Sequence, residues 1–304
     1  MNSSNIIDVQ LQKGREKQMD EMLQQIKENE AKAKQLQAAV RKLPHTPANC
    51  PVCRNTVVFP TNLLTHLLHK HVGAPFSMHA EIYEQQPLVV CFDPLCNVHG
   101  NNHCLASLLY GGVRDRPETR PGLSYLSRLN SALIRDNQRY NNYLPIMLLA
   151  CRSTWYAQLG DKHLERELSR INGHKAGLNV IWLVAPKTTR KLYFQLTIYD
   201  RYHLNIRSVK GTVRNYTSSQ NPSDFMPHEH NYLLLCDEEL DELLQPSYSS
   251  ASKEPRQGVT IELILFENPA ASLRHFNGNE LQTALQSAQA EMLGYSLSFS
   301  KLHD

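Results

Sequence analysis

The sequence predicts a mainly β protein: an antiparallel β-sandwich preceded by a small C2H2-type module and an N-terminal helix. Three observations carry this reading. Short apolar runs recur from about residue 80 onward, separated by polar loops bearing Gly or Pro. Two cysteines and two histidines, Cys50, Cys53, His66 and His71, stand at metal-ligand spacing. Residues 8–43 hold no proline and end at Pro44. The expected boundaries are a helix or coiled coil over 1–44, the finger over 45–75 and the sandwich over 80–304.

The helix comes first. Met19, Ile26, Ala33 and Val40 fall seven apart, and Met22, Asn29, Leu36 and Leu43 follow each by three. That is a heptad seam of about three and a half repeats, with a polar Asn29 and a small Ala33 inside it. Self-association into a homodimer is one expectation. A solvated helix docked on its own chain is the other. Gly14 weakens the first half.

The strands follow in order. "QPLVVCF", "HCLASLLYG", "YLPIMLLAC" and "LNVIWLVA" read as strands. So does "KLYFQLTIYD", in which Leu192, Phe194, Leu196 and Ile198 share one face. "YHLNIRSV", "NYLLLC", "GVTIELILFE" and "GYSLSFS" complete the set. "APKTTRK" between two of them looks like a hairpin turn. "CDEELDELLQ" has the acidic first turn of a helix. "NGNELQTALQSAQAEML", "YLSRLNSALIRDNQRY" and "DKHLERELSRI" are further helix candidates. The polar loops 113–122, 212–230 and 246–257 are expected to be mobile.

Composition narrows the class. The 304 residues are 41% hydrophobic and 20% charged, with net charge +3. That is globular, and too balanced for a protein relying on phosphate contacts. The opening "MNSSNIIDVQLQKGREK" has no apolar core, and the longest apolar runs fall far below the ~20 residues that cross a bilayer. Seven cysteines, an odd count, do not read as a secreted disulfide framework. An intracellular location, nuclear or cytoplasmic, with no membrane partner, is expected.

The Cys50-x2-Cys53-x12-His66-x4-His71 spacing suits tetrahedral Zn2+. Leu63 lies three before His66, where a finger helix places its core leucine, and Val57 is the apolar partner expected from the ribbon. His69 is the spare histidine and is not expected to ligate. A DNA-reading finger contacts bases from helix positions −1, 3 and 6. Here those are Phe59, Asn62 and Thr65, and Pro60 holds position 1; none is the Arg or Lys that reads guanine. The helix instead carries Leu63, Leu64, Leu67 and Leu68. So small a module cannot bury all four, so they are expected to pack on another element or a partner. Nucleic acid is not the expected partner.

A second cluster lies in "CFDPLCNVHGNNHC": Cys91, Cys96, His99, His103 and Cys104. These residue types can hold a metal, but the spacing matches no common site, and Cys91 and Cys104 also suit a buried core. The chain has no phosphate loop, nucleophile elbow or H-E-x-x-H, so an enzyme is not expected.

"HLLHKH", His66 to His71, resembles the "H-L-M-H-Q-H" of the second zinc finger of the Seven in absentia ubiquitin-ligase family. In that family the first and third of these histidines bind zinc, which corresponds to His66 and His71. The family's finger precedes a TRAF-like β-sandwich. "NVIWLVAPKTTRKLYFQLTIYDRYHLNI" is similar to that domain's central hairpin, and "NYLLLCDEELDELLQ" with "GVTIELILFE" to its strand–helix–strand end. The chain as a whole also resembles an insect family known only as a domain of unknown function. The family's RING domain is replaced here by a Lys- and Gln-rich helix without cysteine, and its first finger is missing. The resemblance implies a non-catalytic, dimerising adaptor that binds an extended peptide of a protein partner, linked to ubiquitin-ligase substrate recognition. The alternative is a chromatin or nucleic-acid factor that uses the single finger with a basic helix. That helix carries Lys13, Arg15, Lys17, Lys27, Lys32, Lys34, Arg41 and Lys42, interleaved with acids.

Overall fold

Nine consecutive residues, Gly177 to Ala185, are buried without a break, and this run organises the fold. A strand buried on one face alternates; one buried on both reads as a continuous apolar run. The computed structural model describes residues 3–41, 46–53, 55–71, 78–94, 97–123, 130, 135–164, 167, 177–199, 206–244 and 258–268. The chain divides into two units, Met1–Leu43 and Pro44–Asp304.

In the first unit, α1 (Ser3–Arg41) is one helix that runs through Gly14. Met19, Met22, Leu23 and Ile26 are 49–63% exposed on it. The side chains of Leu36 and Val40, and Leu43 itself, lie outside the described residues. Among the described residues no helix is long and apolar enough to cross a membrane.

The second unit opens with a ribbon, β1 (Ala48–Asn49) and β2 (Val57–Val58), a 3-10 turn over Pro60–Asn62 and α2 (Leu63–Lys70). Ten further strands follow among the described residues: β3 (Met78–Ile82), β4 (Leu88–Phe92), β5 (His103–Tyr110), β6 (Leu144–Thr154), β7 (Gly177–Ala185), β8 (Tyr193–Tyr199), β9 (Ile206–Thr212), β10 (Arg214–Asn215), β11 (Leu233–Cys236) and β12 (Val259–Phe266). Helix α3 (Asp237–Leu244) lies between the last two.

The strands form two stacked sheets. One runs β4-β12-β8-β9 and is antiparallel throughout. The other runs β10-β7-β6-β5-β3, with β11 also on β7. It is mixed, because β3 pairs β5 and β10 pairs β7 in parallel. The all-antiparallel expectation therefore holds for one sheet only. The core between the sheets takes inward-facing apolar side chains from both. Ile146, Leu148, Ile181 and Leu183 come from the mixed sheet, and Phe194, Leu196, Ile261 and Leu263 from the other.

The four residues expected to share a face around β8, Leu192, Phe194, Leu196 and Ile198, all lie in this core. Helix α3 adds Leu240 and Leu243 to it. The helix starts on a reciprocal cap: Glu239 accepts from the Cys236 N–H at 3.1 Å, and the Cys236 sulfur accepts from the Glu239 N–H at 3.4 Å.

The segment "APKTTRK" is not a hairpin turn. It carries the chain from β7 in one sheet to β8 in the other, and the two strands do not pair. Both send large apolar side chains into the same core, which stacking satisfies and side-by-side pairing would not. The described part of "YHLNIRSV" begins at Ile206, in β9, and Leu204 lies outside the described residues. So do "GYSLSFS", "NGNELQTALQSAQAEML" and most of the two candidate helical insertions. The loop after β10, expected to be mobile, is tied by hydrogen bonds: Gln220 Nε2 donates to the Asn215 and Ser218 carbonyls at 2.9 and 2.8 Å.

The other face of the mixed sheet is covered as well. Met147, Leu149, Val180 and Trp182 pack there with Val58, Leu63 and Leu67 of the finger and with Tyr216 and Phe225. Val58, 5% exposed, is thus the ribbon's core valine, and Val57, expected in that role, is 61% exposed. The alternation of β2 lets only one of two adjacent valines face inward. Val58→Ala is expected to cost about 2 kcal/mol and Val57→Ala under about 0.5 kcal/mol, read by denaturant midpoints. Equal effects would contradict this register.

Candidate metal centre

The ribbon and α2 bring Cys50, Cys53, His66 and His71 together, with their ligand atoms all within 4.8 Å of one another. Pro60 opens the 3-10 turn that leads into α2, where its missing N–H costs nothing. His71 stands just past the helix end, its N–H bonded to the Leu67 carbonyl at 2.9 Å, five residues after His66. That separation turns both imidazoles toward the cysteine knuckle.

The geometry approaches that of a tetrahedral ion, with two of the four separations below on the short side. Cys50 Sγ lies 3.4 Å from His71 Nε2, Cys53 Sγ 3.5 Å from His66 Nε2 and 3.1 Å from His71 Nε2. The two Nε2 atoms are 3.2 Å apart. Bonds of ~2.3 Å to sulfur and ~2.0–2.1 Å to nitrogen give tetrahedral edges of about 3.3–3.8 Å. Burial pushes the Cys50 thiol up to about 11, while N–H groups of Cys53 and Val52 directed at it act the other way. A cation bound here would supply the missing charge and hold the thiolate. Burial also holds His66 and His71 below the usual histidine range, which keeps a nitrogen lone pair available. His69 is exposed and stands outside the group.

The finger is fastened to the sheets on three sides. Leu63 and Leu67 enter the core shared with Trp182. Leu64 is 1% exposed and packs with Tyr83, Leu109, Tyr140 and Tyr143, and Leu68 joins that cluster. The Tyr216 hydroxyl donates to the Val58 carbonyl at 2.9 Å. Asn102 Nδ2 donates to the Pro51 carbonyl at 3.0 Å and to the Gln220 carbonyl at 3.1 Å. Gln220 in turn accepts from Trp182 Nε1 at 2.9 Å. Asn102, Tyr216 and Gln220 carry no sequence signal, since their partners lie 51, 158 and 38 residues away.

Among the described residues the second Cys/His cluster is not assembled. Val90 and Phe92 face the core between the sheets, so Cys91 faces the opposite way on the antiparallel sheet. Cys104 sits on the outer face of the mixed sheet. The whole sandwich separates them. His99 is exposed, His103 is half-buried on β5, and Cys96 lies outside the described residues. Cys91 and Cys104 are separated because β4 and β5 belong to different sheets.

A family described as Domain of unknown function (DUF4729) matches residues 49–246. The chain belongs to the DUF4729 family. The search of curated proteins found no match. The DUF4729 match takes in all four candidate ligands and runs past α3, but stops short of β12. The DUF4729 region therefore ends before the strand that joins β4 to β8.

Proposed function

We propose that this protein is a non-catalytic adaptor. Zn2+ held by Cys50, Cys53, His66 and His71 keeps the finger folded, and the TRAF-like β-sandwich binds an extended segment of a protein partner. The observation that carries this reading is the burial of the finger helix: Leu63, Leu64 and Leu67 are at most 1% exposed against the chain's own sheet and tyrosine cluster. A helix seated in this way supports a structural role rather than insertion into a major groove. The likeness of "HLLHKH" to the Seven in absentia finger supports a link to ubiquitin-ligase substrate recognition. The exposed seam of α1 supports a homodimer, in which two copies would raise avidity for a bivalent partner. The location would be intracellular.

Native mass spectrometry of the full chain, with and without a strong chelator, tests this. The expected result is one zinc per chain in a dimer, lost with chelation. A zinc-bound monomer would remove the self-association, and a metal-free native protein would remove the staple. The second reading, a single-finger nucleic-acid factor, predicts DNA binding that weakens steeply with salt; binding absent at low salt would end it.

A further inference from the structure

A cleft of about 790 Å³ runs between the finger's β1 side and the loop after β10. Its floor includes Asn102, and one wall is Ala48 to Pro51. Neither residue of β2 lines it, so it lies along the other edge of β1.

Among the described residues that edge is unpaired. Cys50 N–H donates to the Thr56 carbonyl at 2.8 Å, and Ala48 pairs with Val58. In an antiparallel ladder, bonded and non-bonded pairs alternate. The Asn49–Val57 pair is then the non-bonded one, and the Asn49 N–H and C=O point away from β2 toward the cleft. Asn102 also lines the cleft: its Nδ2 donates to the Pro51 and Gln220 carbonyls on the two sides, and among the described residues its buried Oδ1 has no hydrogen-bond partner.

The opposite wall is built to hold its shape. Besides the Gln220 bonds, Asn221 Oδ1 accepts from the Ser223 N–H at 3.3 Å, and Ser219 Oγ donates to Asp224 at 2.7 Å. Buried Arg214 stacks over Phe225 at 4.0 Å, pairs with Glu229 and donates to the Ser219 carbonyl at 2.9 Å. The charged lining residues, Lys162 and Asp224, neutralise each other at 2.5 Å. Apart from His99 and Cys50, the polar side chains of the lining are the paired Lys162 and Asp224 and a run of amides and hydroxyls, and such a cleft beside a strand edge unpaired among the described residues suits main-chain hydrogen bonding.

We propose that this cleft docks an extended peptide with small uncharged side chains, adding to β1 at Asn49. The proposal rests on the partner-binding reading above and gives it a place at the junction of finger and sandwich.

The probe is a phage-displayed library of random dodecapeptides, panned on the metal-loaded full chain. Enriched peptides are then titrated against wild type, Ser218→Trp and Asn49→Pro. Ser218 is an exposed lining residue, and its indole replacement would fill the cleft. Proline at 49 deletes the outward N–H, together with the Asn side chain, and fixes φ at a strand edge, where proline is tolerated. Metal content and thermal melting check that each variant folds, and either one suffices if the other does not. The expected result is affinity weakened at least about tenfold, the scale of one lost hydrogen bond with its contacts. Peptides that bind wild type and folded variants alike would overturn the cleft and leave the partner-binding reading standing. Failure to enrich any peptide on wild type would overturn both.

Discussion

A chain ended after Pro246, at the boundary of the family match, is expected to be insoluble or to lack a cooperative melt. The cut removes β12, which lies between β4 and β8 and pairs with five residues of one and seven of the other. Without it the four-stranded sheet separates into an isolated β4 and the β8–β9 pair. Val259, Ile261, Leu263 and Leu265 also leave the core between the sheets. At roughly 1.5–3 kcal/mol for each buried aliphatic side chain, their loss equals much of the ~5–15 kcal/mol that holds a typical domain folded. The measurement is the soluble yield and the circular-dichroism melt of residues 1–246 against the full chain. A soluble fragment with a single sharp transition would show that β12 is dispensable.

On the proposed metal-bound reading, chelation is expected to destabilise the two sheets as well as the ribbon and α2. Val58, Leu63 and Leu67 share a core with Trp182, so an unfolded finger uncovers one face of the mixed sheet. Losing three buried aliphatic side chains costs roughly 5–8 kcal/mol, which corresponds to a fall in Tm of about 10–20 °C for a domain of this size. Tryptophan fluorescence reports it, because Trp182 is 0% exposed and Trp155 is already 45% exposed. A red shift on adding chelator is the expected result. Cys50→Ser and His66→Ala should reproduce it, and Leu67→Asp should approach it with all four ligands intact. Unchanged emission and Tm after complete metal removal would mean that the finger's packing does not depend on the metal.

The candidate ligand set was legible because its chemistry is local. Four residues between Cys50 and His71 must converge, and the helix and the knuckle bring them there. The strands were legible for the same kind of reason: β8 alternates because its inward face meets the core, and α3 shows its acidic first turn. What the residues did not reveal is which strands share a sheet. The Val57–Val58 choice, the path of "APKTTRK" and the separation of Cys91 from Cys104 all depend on stacking across the sandwich.

By itself, then, the sequence determined the mainly β character, the four candidate ligands and the surplus of leucines on the finger helix. Those follow from periodicity and spacing over one or two turns of chain. Only the tertiary structure decided where the leucines go, that the larger sheet is mixed and buried on both faces, and that a strand edge unpaired among the described residues borders a cleft. Each of those depends on contacts between residues far apart in the chain, and such contacts leave no local pattern to read.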